Sequence, residues 1–413
     1  MELRHLRLSA MLPVIAEAGT REFRKAQMSR AANINVGLVL PGGGARGAYQ
    51  VGALKAIAEL VPVDCNPFPV IAGSSVGAIN AVVLASHAQS FGDGVAALTR
   101  FWQELHTSDI YRTDLASVFL RGLHWVVSLT PLAALGIPDP RSLLDNDPLK
   151  QLLENNLRFE PIEAAIESGA LNAVSVTASS YDRGKAVTFF QGASDLEPWT
   201  RTRREGVPVK LTIDHIMAAT ALPFVFPAQR IGSEHYGDGS LRLTSPLSPA
   251  IHTGAERIIV ISARDAKPDP MPAMENIRYP SLGIISGVML DIIFLDNVDA
   301  DIERARRIDN TLSLIATERR GETPLQDIDV LVLEPSQDIR KIARQFANEM
   351  PWSIRMLLGR LGMWGQDWRL PSYLMFEAPY CQALIDLGYR DTMARAAEVT
   401  RFLGSTTASA LAK

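Results

Sequence analysis

An α/β fold with a central, mostly parallel sheet is predicted, and three observations predict it. The apolar run Val36-Gly37-Leu38-Val39-Leu40 passes through Gly42-Gly43-Gly44-Ala45-Arg46-Gly47 into a helix-like stretch from Tyr49 to Leu60. The run Pro69-Val70-Ile71-Ala72 passes in the same way through Gly73-Ser74-Ser75-Val76-Gly77 into Ala78-Ile79-Asn80-Ala81. Farther on, Arg257 to Ser262 and Asp327 to Leu333 read as buried strands bounding a long helix-like segment, Ser281 to Thr317.

The first glycine turn stands where a strand ends and a helix begins. Free backbone N–H groups at such a junction point outward. The run Gly42 to Gly44 can therefore present two or more amide donors, and Arg46 adds positive charge beside them. The second turn has the strand-to-helix setting of a nucleophile elbow, with Ser75 at its tip. A serine held on so sharp a turn has strained backbone geometry, and the residues two positions either side pack against the neighbouring strand and helix. Gly73 and Gly77 meet that need.

Serine is a weak nucleophile unless a neighbouring group takes its proton, and a carboxylate within hydrogen-bond reach can do so. Asp238 is the candidate, in Gly237-Asp238-Gly239-Ser240, after the strand-like run Gln229 to Tyr236. Its flanking glycines permit close approach to another loop. If the Gly42 to Gly44 amides lie near Ser75, they meet the oxygen on which an acyl-transfer intermediate develops its charge.

These three segments, in this order, resemble the patatin-like phospholipase family in a bacterial form. The likeness covers about residues 34 to 265 and includes Ala218-Ala219-Thr220-Ala221-Leu222-Pro223 with Phe226-Pro227, which is similar to the family's small-residue helix ahead of the aspartate. A weaker likeness extends through Val330-Leu331-Val332-Leu333. Ser240 departs from the usual Gly or Ala, a small change. The resemblance implies a three-layer α/β/α sandwich with a helical C-terminal extension. It implies that Ser75 is the nucleophile, Asp238 the general base, and the amides of Gly43 and Gly44 the oxyanion donors, with Arg46 matching the loop's basic residue and Gly239 and Ser240 completing the base motif. The implied activity is hydrolysis of lipid acyl esters, of the phospholipase A or lysophospholipase type, through an acyl-enzyme and with neither metal nor cofactor.

Each motif taken alone has a plainer meaning. A solitary G-x-S-x-G can be an ordinary turn into a helix, and Asp-Gly is often a hairpin turn. Gly42-x-Gly44-x-x-Gly47 after a strand is also a dinucleotide-binding fingerprint, whose acidic partner would be Asp64, on a short strand carrying Pro62 and Pro67. A Rossmann-type protein is thus a third reading, behind a patatin-fold module that binds lipid or a partner without catalysis. A serine triad would need a histidine. His252, in a short helix ended by Gly254, reads as exposed or capping, and His235 as a strand residue at most neighbouring the site.

Composition agrees with an enzyme. The 413 residues are 47% hydrophobic and 21% charged, ample for a buried core, and the net charge of −4 gives no electrostatic case for nucleic acid. Only Cys65 and Cys381 are present, without C-x-x-C or His-Glu-x-x-His patterns, so neither a disulfide scaffold nor a structural zinc is expected. The charged, Pro13-interrupted start is too short in apolar length for a signal peptide or anchor, and cytoplasmic residence is the expectation.

The chain divides into a variable lead (1–33), the catalytic core (34–265), a mainly helical part completing the same domain (266–403) with one strand near 327–333, and a disordered tail (404–413). Within the core, Leu115 to Ile137 reads as a helical insertion at the site edge, and Ala173 to Ala178 with Lys185 to Gln191 as a hairpin about Asp182-Arg183-Gly184. Segment 352–369 interleaves Trp352, Trp364 and Trp368 with Arg355, Arg360 and Arg369. Its two readings are packing over the core and a peripheral membrane contact, and the breaks at Gly359, Gly362 and Gly365 favour the first.

Overall fold

The computed structural model describes residues 35–62, 66–114, 142–264, 279–323, 325–360, 362–364 and 368–410. The expected lead, the insertion Leu115 to Ile137 and Asp64 lie outside the described residues.

Among the described residues, ten strands form one sheet: β1 (Val36–Leu40), β2 (Val70–Ser74), β3 (Ala173–Ser180), β4 (Lys185–Gly192), β5 (Trp199–Arg201), β6 (Arg204–Pro208), β7 (Gln229–Ile231), β8 (Glu234–Asp238), β9 (Arg257–Ile261) and β10 (Asp329–Leu333). Their order is β10-β9-β1-β2-β3-β4-β6-β5, and β8 pairs with both β3 and β7. The centre, from β10 to β3, is parallel throughout.

Side chains alternate between the two faces, as the period of a strand requires. Leu38, Leu40 and Ile71 enter one buried core, while Val39, Val70, Ala72, Ile258 and Val260 enter a second. The helices that supply these cores include α1 (Ala48–Leu60), α2 (Val76–Ser86), α3 (Ile213–Thr220), α4 (Ser248–His252), α5 (Leu282–Asp291), α6 (Asn297–Ser313), α7 (Arg369–Leu374) and α8 (Ala378–Ala394). The first core takes α1, α2, α3 and α8, and the second takes Leu247 and Ala250 around α4 with Val298 and Ile302 of α6. A sheet with a separate apolar core on each face is the three-layer α/β/α arrangement.

The expected hairpin at Asp182-Arg183-Gly184 forms, with β3 and β4 paired antiparallel along their whole length. Residues 229–238 make a two-stranded hairpin where one strand was expected, because Gly232 takes φ 60° and reverses the chain. The long helix-like segment is two helices, α5 and α6, joined by a π-helical turn, Ile292–Asp296. A helix, Ala396–Ala410, runs into the stretch expected to be a disordered tail; its alanines suit a helix.

The helix Trp352–Arg360 buries Ile354 and Leu358 against the first core, leaves Trp352 exposed, and ends before Gly362 at φ 67°. Among the described residues, no helix is long and apolar enough to cross a membrane.

Candidate active site

The site begins at the edge of β3. One edge pairs with β4; the other is shared, with β2 taking Ala173 to Thr177 and β8 taking Ala178 to Ser180. Because β2 runs parallel to β3 and β8 antiparallel, their C-terminal ends meet head to head. Ser74 lies opposite Thr177, and Asp238 opposite Ala178, the very next residue. Ser75, one residue past the end of β2, is thereby brought to the carboxyl of Asp238.

Ser75 has φ 51° and ψ −132°, a left-handed conformation that costs a serine of order 1–3 kcal/mol. The surrounding packing enforces it: a Cβ at Gly73 would collide with the backbone of Gly77, and one at Gly77 with the carbonyl of Leu40. The elbow therefore admits no side chain at either position, as its motif requires.

Asp238 is fully buried. Its Oδ1 accepts the N–H of Ser240 at 2.9 Å, and its own N–H donates to the carbonyl of Ala221 at the end of α3 at 2.8 Å. Its Oδ2 has no hydrogen-bond partner of standard geometry among the described residues. Burial pushes the carboxyl up to about 6, against the opposing pull of the Ser75 hydroxyl and of Ser240. The Ser75 hydroxyl favours the ionised carboxylate and so opposes part of the rise that burial causes.

Gly44 opens a short 3-10 turn, Gly44–Gly47, so its N–H lacks an intrahelical partner. It sits at φ 53°, and an added Cβ would collide with the carbonyl of Tyr373. Gly43 is extended, at φ 170°, and its carbonyl accepts the N–H of Arg46 at 3.1 Å. Gly44, Ser75 and Val76 line one small apolar cavity of about 50 Å³. Val76 is the first residue of α2, so its N–H is also open at a helix start, a donor overlooked in the sequence although it directly follows Ser75 in the elbow motif.

Arg46 does not stand as a loose charge beside that cavity. It is buried, its Nε donating to Ser372 Oγ at 2.9 Å and its Nη1 reaching Asp291 Oδ1 at 3.4 Å, with the guanidinium 3.7 Å from the centre of the Tyr373 ring. Asp291 also receives Tyr373 Oη at 2.6 Å and Arg369 Nε at 2.8 Å. A buried cation needs such partners, and here they tie the glycine loop to α5 and α7.

Other walls of the cavity come from the C-terminal part: Phe294 on the π-helical turn, then Tyr373, Leu374 and Phe376. Motif reading could not find these, since they carry no signature beyond hydrophobicity. Leu222 and Leu374 also line a second, almost wholly apolar cavity of about 300 Å³. Neither His235 nor His252 lines the Ser75 cavity. His252 stacks on Trp199 at 4.8 Å, and exposed His235 sits beside Asp182. Among the described residues, no three His, Cys, Asp or Glu side chains converge as a metal site would need.

The family model for patatin-like phospholipases matches residues 38–251. Among curated proteins, the patatin-like phospholipase domain-containing protein 7 of Rattus norvegicus is 44% identical over 84 residues, which are 18% of this chain and 6% of that protein. The lysophospholipase nte1 of Aspergillus terreus is 49% identical over 55 residues, 13% of this chain and 3% of that protein. The chain thus aligns with only a small part of the length of these relatives.

Proposed function

The chain belongs to the patatin-like phospholipase family, and from that premise we propose that it is a lipid acyl hydrolase of the phospholipase A or lysophospholipase type, working through a Ser75–Asp238 dyad. The dinucleotide-binding alternative falls with the family assignment. The observation that supports the dyad most is the head-to-head meeting of β2 and β8 on the edge of β3, which leaves Oδ2 of a buried carboxylate without a partner beside the Ser75 hydroxyl.

In the first half-reaction Asp238 Oδ2 takes the Ser75 proton as Oγ bonds to the acyl carbonyl carbon. The carbonyl oxygen becomes an anion facing the backbone N–H groups of Gly43, Gly44 and Val76. The ester C–O bond then breaks, and the proton on Asp238 passes to the departing alkoxide. In the second half-reaction water attacks the acyl-serine, Asp238 takes its proton, and the fatty acid leaves as Ser75 recovers its hydrogen. A base titrating near 6 is ionised at neutral pH yet more basic than an ordinary aspartate, which suits this work. Arg46 acts as a positioning residue that holds the glycine loop against α7.

The apolar walls around Ser75, continued into the larger cavity through Leu222 and Leu374, support an acyl chain as the group bound. Phe224 and Met289 line the larger cavity and are also exposed, so its rim offers apolar contact to a lipid aggregate.

A fluorophosphonate probe and a p-nitrophenyl ester test the reading. The expected result is labelling at Ser75 and loss of turnover by many orders of magnitude in Ser75→Ala, with the fold retained. An adduct on another serine would overturn the assignment. No labelling and no turnover in the folded wild type would favour the non-catalytic lipid-binding module.

A further inference from the structure

A charged cavity in the described structure stands apart from Ser75. It measures about 480 Å³ and lies on the other face of the sheet, between the β5–β6 hairpin, α4 and α6. Its apolar wall includes Leu247 and Ile328, both members of the second core.

Three guanidinium groups converge there. Arg201 and Arg204 are register partners across the β5–β6 hairpin, a like-charge pair that ordinarily costs stability. Arg304 arrives from α6. Among the described residues, the only carboxylate in the lining is Asp301, and it is already engaged: Oδ2 accepts the N–H of Leu247 at 3.0 Å, and Oδ1 accepts Arg304 Nη1 at 2.7 Å. Arg204 has no such relief, since its Nη1 is buried without a hydrogen-bond partner among the described residues. Ser245 and Ser248 add hydroxyls, and His252 is held towards its neutral form by burial and by the two hairpin arginines. Three cations against one carboxylate, in a chain of net charge −4, is a local excess that packing does not explain.

We propose that this cavity is a binding site for a phosphoryl-bearing anion, clamped by Arg201, Arg204 and Arg304. Donors approach from three elements, β5, β6 and α6, which suits the several oxygens of a tetrahedral dianion better than a planar carboxylate. Two excess positive charges match a dianion. A bound oxygen gives Arg204 Nη1 the acceptor it lacks, and Leu247 and Ile251 offer an apolar surface to an attached organic group. The site stands independently of the dyad mechanism.

The source of the phosphoryl group is either a soluble phosphate ester or the headgroup of a phospholipid. Calorimetry with inorganic phosphate and glycerol 3-phosphate, at ionic strength held with chloride, measures the first. Flotation with phosphatidic acid vesicles, against phosphatidylcholine vesicles, measures the second. The expected result is saturable binding by at least one probe, with Kd raised at least tenfold in Arg204→Gln and in Arg304→Gln, and ester turnover without phosphate unchanged. Binding confined to vesicles assigns the headgroup; binding of soluble phosphate, accompanied by a higher Tm, assigns the free ester. Should Arg204→Gln fail to fold, Arg304→Gln decides, because that side chain is half exposed. The absence of saturable binding by every probe, or wild-type binding in a folded variant, overturns the proposal.

Discussion

Replacing Asp238 with asparagine separates what the carboxylate does for catalysis from what it costs the fold. An aspartate in an unfolded chain titrates near 3.8, and burial raises this one to about 6. Between those values the native state binds more protons than the unfolded state, so stability falls as pH rises through the window and the full cost is present above it. The shift is about two pH units, and at about 1.36 kcal/mol per unit the ionised carboxylate destabilises the fold by ~3 kcal/mol at neutral pH. Asparagine has the same shape, keeps an oxygen for the Ser240 N–H, and carries no charge. Urea denaturation of the wild type and of Asp238→Asn at pH 4 and pH 8 should therefore show the wild type losing about 2–3 kcal/mol relative to the variant between the two pH values. Turnover should move the opposite way. Asp238→Asn should lose about 10²- to 10⁴-fold in kcat, and the wild-type kcat/KM should rise with pH to a plateau with its midpoint near 6, unchanged in His235→Ala and His252→Ala. A stability difference independent of pH, or an acid limb that disappears with either histidine, would refute the reasoning.

The other expectations concern the glycine loop and its anchor. Gly44→Ala must carry a Cβ at positive φ into the carbonyl of Tyr373, so α7 has to give way; kcat should fall about 10²-fold with a smaller change in KM, as for loss of an oxyanion donor, and steady-state kinetics with a soluble ester checks it. Arg46→Met leaves Asp291 with Arg369 and Tyr373 but removes the link to Ser372. It should cost about 1.5–3 kcal/mol in urea denaturation and lower kcat more than it raises KM, and Arg46→Lys should restore part of the stability but not the simultaneous contacts to Ser372 and Asp291.

The catalytic candidates were legible because an elbow and an oxyanion loop are local backbone problems. A left-handed serine, a helix start and a carbonyl packed against a glycine are all constraints felt within a few residues. They leave their mark as Gly73, Ser75 and Gly77, or Gly42 to Gly47, next to strand-like and helix-like runs. Apolar runs likewise exposed the strands β9 and β10; β9 is buried between its neighbours as expected, whereas β10 lies at the end of the strand order and buries only Leu331 and Leu333 fully.

What the motifs left open is how the pieces meet. Nothing near Asp238 states that β8 ends against β2 on one edge of β3; that follows from a register set by strands about 60 residues apart in the chain. Nothing in Arg46 announces Asp291, Ser372 and Tyr373, which reach it across 245 residues or more. Phe294, Leu374 and Phe376 have the composition of any core residue, and only the packing of the C-terminal helices makes them walls of the Ser75 cavity. The amino-acid sequence by itself determined the chemistry available at each turn, because local sterics act through neighbouring residues. The tertiary structure decided which of those groups share a cavity, because burial and long-range pairing depend on contacts between segments that the linear order does not bring together.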